Sequence, residues 1–107
     1  MESLVKIAFI DDHNSGTEVS EAPIFKYTEG DRFVYVAGHT GRGAFCLNPF
    51  YTKEDGVHLS RWSCGPTVEW KDFVNGKYEE EGFKVEACTE SPSLIEIMSA
   101  YVKWEGV

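Results

Sequence analysis

Cys64, in the stretch RWSCGPTVEW over residues 61–70, has the residue type and the setting of a nucleophile. A helix beginning at Pro66 would offer this thiol free N–H groups and a positive dipole end, both of which favour a thiolate. Acyl transfer at such a thiolate also needs an imidazole in hydrogen-bond reach as base, and donors for the oxyanion. His58 in VHLSRW and His39 in AGHTGRG are the imidazoles at hand, and only the fold could bring either to Cys64. Cys64 with His58 is therefore an alternative catalytic assignment. No complete catalytic constellation stands in the sequence, and the primary expectation is a protein without catalytic residues.

Cys64-Gly65-Pro66-Thr67 after Trp62 resembles the Trp-Cys-Gly-Pro-Cys corner of thioredoxin-like proteins. Ser63 interrupts the pattern, and Thr67 stands where the resolving cysteine would be, so this corner cannot exchange a dithiol. The motif also lies past the chain midpoint, whereas that fold keeps most of its length after it. A turn in which Cys64 serves as a small apolar residue is the expected outcome. KIAFIDDH resembles the opening of a bacterial receiver domain, in which paired acids hold magnesium. NSGTEVSEAP lacks the helix that should follow, and no later strand ends in an acceptor aspartate, so the receiver fold is not expected. Asp11, Asp12 and His13 are expected in a solvated loop.

AGHTGRG places three glycines around His39, Thr40 and Arg42. Its backbone N–H groups could cradle an anion with the Arg42 guanidinium opposite, which makes His39, Thr40 and Arg42 the alternative ligand-binding set. The spacing matches no phosphate loop. Cys46, Cys64 and Cys88 with the three histidines contain no Cys-x-x-Cys and no close histidine pair, so neither metal nor cofactor is expected. Cys46 and Cys88 fall in strand patterns and are expected in the core.

The charge is lopsided. Eighteen acids against ten basic residues give a formal net charge of −8, and no Lys/Arg cluster exists to bind nucleic acid or anionic lipid. Residues 69–107 hold nine acids against four lysines, a net of −5, and Glu79, Glu80 and Glu81 are the densest run. Glu69, Trp70, Asp72, Tyr78, Glu79, Glu80 and Glu81 are thus the expected partner-binding set. Their carboxylates would imitate phosphates in a basic groove, with the two rings as anchors. The expected function is a small acidic intracellular binding or inhibitor protein that occludes a basic or catalytic surface of a partner protein. Immunity proteins, antitoxins and viral inhibitors of host defence are of this type. The alternative is a domain that binds a nucleotide or other small anion, or a cysteine-dependent enzyme, using the Gly38–Gly43 loop and Cys64.

These residues need a scaffold. At 107 residues, 42% hydrophobic and 14% aromatic, the chain is expected to form one α+β domain over 1–107 with a ring-rich core. Its N-terminus lacks the basic lead-in and cleavage site of a signal peptide, and an odd cysteine count argues against a secreted disulfide scaffold, so a reducing cytoplasm is expected. About five to six mainly antiparallel strands are expected. LVKIAFI (4–10) reads as a strand buried on both faces, DDHNSGTEVSEAP as a long loop, and IFKYT and RFVYVA as a hairpin about Gly30. GAFCL, VHLSRW and FKVEAC read as further strands, with NPFYTKEDG as a loop. From Pro66 to Gly76 the pattern favours a short middle helix over a hairpin at Asn75-Gly76. SPSLIEIMSAYVKW predicts a C-terminal helix capped by Ser91, whose Leu94, Ile95, Met98, Tyr101 and Val102 cover the sheet.

Overall fold

The computed structural model describes residues 4–11, 18–41, 44–60 and 67–106, with the backbone alone at 18, 39–41, 44 and 45. The strands are β1 (Lys6–Asp11), β2 (Glu18–Glu29), β3 (Arg32–Gly41), β4 (Ala44–Lys53), β5 (Gly56–Leu59) and β6 (Thr67–Glu69). A single 3-10 turn (Trp70–Asp72), β7 (Lys77–Glu80), β8 (Phe83–Ala87) and the helix α1 (Leu94–Glu105) complete the order. Among the described residues eight strands thus stand where five to six were expected.

Two long strands each serve two sheets. The first half of β2, Glu18–Pro23, pairs antiparallel with β1. Its second half, Ile24–Glu29, pairs with β3, and Phe25–Thr28 also pairs with β8 on the other edge. In β4, Ala44–Pro49 pairs with β3, with β6 alongside Ala44–Cys46, whereas Phe50–Lys53 pairs with β5. Both strands change sheets at a proline, Pro23 or Pro49. A residue without an N–H is best placed where a ladder hands over to another. One parallel bridge, Ile10 to His58, joins β5 to β1, so β1 to β5 close into a ring. The second sheet is antiparallel throughout, in the order β6-β4-β3-β2-β8-β7.

Side chains alternate across a strand, so a sheet covered on both sides needs two cores. Phe25, Tyr27, Val34, Val36, Leu47, Val68, Phe73 and Val85 form one. Ile24, Ala37, Ala22, Phe9, Phe50, Val57, Leu59 and Ile97 form the other, on the opposite side of β2 and β3. Ile24 and Phe25, adjacent in sequence, are both fully buried for this reason. From β6 at one edge the chain crosses to β7 at the other, and Phe73 packs edge-on against Phe25 at 5.3 Å. Such a pair adds about 0.5–1.5 kcal/mol beyond area burial. The radius of gyration, 13.1 Å, is that of one compact domain.

Several expectations give way here. Residues 67–80 form a strand, one 3-10 turn and a second strand, not a middle helix. Asn75 (φ 56°) and Gly76 (φ 75°) make the tight turn, with Lys77 N–H donating to the Val74 carbonyl at 3.1 Å. Both β1 and β2 depart from expectation: Lys6 and Ala8 are exposed, so β1 is buried on one face only, and β2 already runs at Glu18, inside the expected loop. NPFYTKEDG continues β4 as far as Lys53. Cys46 is exposed.

The helix departs most. Its cap is Ser93, not Ser91: the Oγ accepts from Glu96 N–H at 3.1 Å and its hydroxyl donates to the Glu96 carboxylate at 3.2 Å. Ile97 and Ala100 are its buried residues, and α1 packs against β3 and β4. Trp104 meets Tyr27 at 5.6 Å and Tyr101 meets Tyr51 at 5.4 Å. Leu94, Ile95, Met98 and Val102, expected on the sheet, face solvent instead.

Candidate functional site

The expected acidic set divides between self-neutralised and outward-facing groups. Lys77 lies opposite Glu86, and Glu79 opposite Lys84, across the β7–β8 hairpin. Lys77 Nζ reaches Glu79 at 3.0 Å and Lys84 Nζ reaches Glu86 at 3.1 Å, so the four form a square of alternating sign. The Lys77 ammonium holds the Glu79 carboxyl below the usual range. Glu69 pairs with Lys71 at 3.1 Å. Tyr78 is half-buried on Phe83, and its hydroxyl donates to Glu80 at 2.6 Å; that bond, with Asp72 nearby, raises the phenol. Trp70 is half-buried against Phe25 and Phe73 at 6.2 and 6.3 Å. Asp72 and Glu81 are exposed. Asp72, Tyr78 and Glu80 therefore come together, while Glu69 and Glu79 are engaged by lysines and both rings belong partly to the core.

His58 is buried in β5, and its Nε2–H donates to Asp55 Oδ1 at 2.6 Å. Tyr51 lies 5.5 Å away, ring to ring. This bond, more than any other cause, lowers the Asp55 carboxyl. Cys64, Arg42, Asp12 and His13 lie outside the described residues, and of His39 and Thr40 only the backbone, in β3, is described. Cys88 is half-buried beside Ile24, and burial pushes its thiol up to about 11. That pKa disfavours a nucleophilic thiolate at neutral pH. Among the described residues no group of three His, Cys, Asp or Glu could hold a metal ion, and no helix is long and apolar enough to cross a membrane.

Two surfaces emerge that sequence reasoning did not single out. The first is the outer face of α1, where Ile95 is 71% exposed, Leu94 55%, Met98 47% and Val102 43%. These positions recur one turn apart and make one apolar stripe. Eight of the twelve helix residues are apolar, so periodicity alone could not tell which of two apolar faces meets the sheet. The second is a cleft of about 650 Å³ where the sheet splits, its walls including Leu4, Lys6, Phe9, Glu21, Gly38 and Trp70. Its position follows from β2, whose first half turns to β1 and leaves Gly38–Gly41 of β3 without it.

No protein-family model, characterised protein or solved structure matches this chain.

Proposed function

We propose that this is a binding protein that occludes a basic or catalytic surface of a partner protein, acting in a reducing cytoplasm. The observation that carries this reading is the outward apolar face of α1. Four large apolar side chains lie side by side in solvent on a chain of net charge −8. Contiguous exposed apolar surface on a small domain is the mark of an interaction site. Glu90, Glu96 and Glu105 are exposed at or near the stripe, and Asp72, Glu80 and Glu81 add negative charge elsewhere on the surface. Apolar contact and charge complementarity together supply the affinity, and the acidic field also speeds encounter with a positively charged surface and rejects acidic ones.

The test is affinity capture from the native host with mass spectrometry, at low and at high salt. One stoichiometric partner with a basic surface is expected, released by salt and lost with Ile95→Glu. The absence of any salt-sensitive partner at physiological ionic strength would overturn the reading.

A further inference from the structure

We propose that the split between β2 and β3 receives an extended segment of a partner chain, which adds as a strand to the exposed edges there. It rests on the binding role proposed above and adds a second contact to it, since no described residue of α1 lines this cleft.

Two hydrogen bonds fix which backbone groups face the cleft. Ile24 N–H donates to the Val5 carbonyl at 3.0 Å, and Cys88 N–H donates to the Ile24 carbonyl at 3.2 Å. Ile24 thus directs both its groups toward the β1 and β8 edge. Neighbours in a strand alternate, so Val19 and Glu21 direct N–H and C=O to the other edge, and Pro23 its C=O. Phe25 likewise turns toward Val36, its partner on β3. Val36 therefore faces β2, and Gly38 and Thr40, further along the same edge, present their N–H and C=O to the cleft. Among the described residues neither Glu18–Pro23 on this edge nor Gly38–Gly41 has a strand partner.

A row of alternating donors and acceptors spaced about 6.6–6.8 Å apart on each wall suits a peptide backbone and not a compact ligand. The two outer edges of the six-stranded sheet are blunted. β7 reads Lys-Tyr-Glu-Glu and β6 spans only three residues, two ordinary defences against strand addition. The cleft edge of β2 carries Glu18, Glu21 and Pro23 but also Val19, which is 70% exposed, and Gly38–Gly41 of β3 carries no charge. Cleft wall and chain charge together call for a segment that alternates apolar with basic residues, the apolar ones against Phe9 and Trp70 and a basic one against Glu21. A second copy of this chain would bring another net charge of −8 and is disfavoured.

The full chain is panned against a display library of random linear nonapeptides at high salt, and the strongest isolate is synthesised with and without N-methyl groups on alternate residues. Expected are a peptide rich in alternating apolar and basic residues, slowed amide exchange at Val19, Glu21 and Gly38, and affinity weaker by roughly tenfold or more on N-methylation. Glu21→Pro, which removes a donor facing away from β1, is expected to weaken binding similarly, whereas Ser99→Lys, exposed on α1, leaves it unchanged. No enrichment, protection confined to α1 or the β7–β8 hairpin, self-association in place of peptide binding, or equal binding of the N-methylated peptide would each overturn the proposal. Peptide binding without a basic host partner would sink the occlusion role alone; a captured partner whose affinity ignores both Glu21→Pro and competing peptide would sink the strand addition alone.

Discussion

His58 Nε2 lies 2.6 Å from Asp55 Oδ1, a bond that joins a buried imidazole in β5 to an exposed carboxylate in the turn before it. The Asp55 carboxyl is lowered from its ordinary 3.8, so it binds protons less readily folded than unfolded. Its contribution is present above the ordinary value and is lost as pH falls through the lowered one. Asp55→Ala is expected to be less stable than the parent near neutrality, with the two stabilities converging as pH drops below about 4. Urea midpoints across that range measure it; parallel curves would refute the coupling.

The orientation of α1 makes a paired prediction. Ile97→Ala opens a cavity at a fully buried site and is expected to cost about 2–5 kcal/mol. Ile95→Ala, at the most exposed large apolar residue of the helix, is expected to change stability by about 0.5 kcal/mol or less. Chemical denaturation of both variants checks the order, which reverses if the expected stripe is the packed one.

Phe25 holds the crossover to the sheet through Phe73 and Trp70. Phe25→Ala is expected to lose about 3–5 kcal/mol. Near-ultraviolet circular dichroism should show the Trp70 environment loosened in the folded variant.

Gly76, at φ 75°, occupies backbone space that a side chain tolerates poorly. Gly76→Ala is expected to cost about 1–3 kcal/mol, whereas Gly76→Asn costs less because asparagine accepts this conformation more readily. Thermal unfolding of the two variants distinguishes strain from loss of space, since an added Cβ would meet its nearest neighbour, on Ala87, only at 3.7 Å.

The cysteines should separate by reactivity. Cys88, at about 11, is expected to alkylate far more slowly at neutral pH than the exposed Cys46, and to gain rate steadily as pH rises toward that value. Peptide-resolved mass spectrometry after iodoacetamide reads both sites. Equal rates at neutral pH would contradict the burial of Cys88.

Local chemistry was legible where one cause dominates. Glu29-Gly30-Asp31 between two apolar runs marked the β2–β3 hairpin, and FKVEAC marked β8. The misreadings share a physical root, because the signals there were satisfied twice. Pro49 looked like the end of a strand, yet it marks the handover of β4 from one sheet to the other. Asn75-Gly76 suited either a helix stop or a hairpin turn, and the burial of Phe73 on Phe25, a contact made across the sheet, favoured the turn. On α1, Trp104 and Tyr101 find aromatic partners on β2 and β4, which leaves Leu94, Ile95, Met98 and Val102 outside. Of the expected partner-binding set, Lys77 and Lys84 were visible beside the acids, but their opposition to Glu86 and Glu79 depends on hairpin register. The cleft could not be read at all, since it arises from where two strands stop pairing.

The single parallel bridge between Ile10 and His58 joins residues 48 positions apart, while the other ring contacts come from consecutive antiparallel strands. Local hairpins gain their bonds early, and a seam spanning that much chain must wait until the intervening meander has formed. The barrel is therefore expected to shut late in folding and to open there first under stress, with β1 swinging away on β2 as a hinged pair while the six-stranded sheet behind it stays intact.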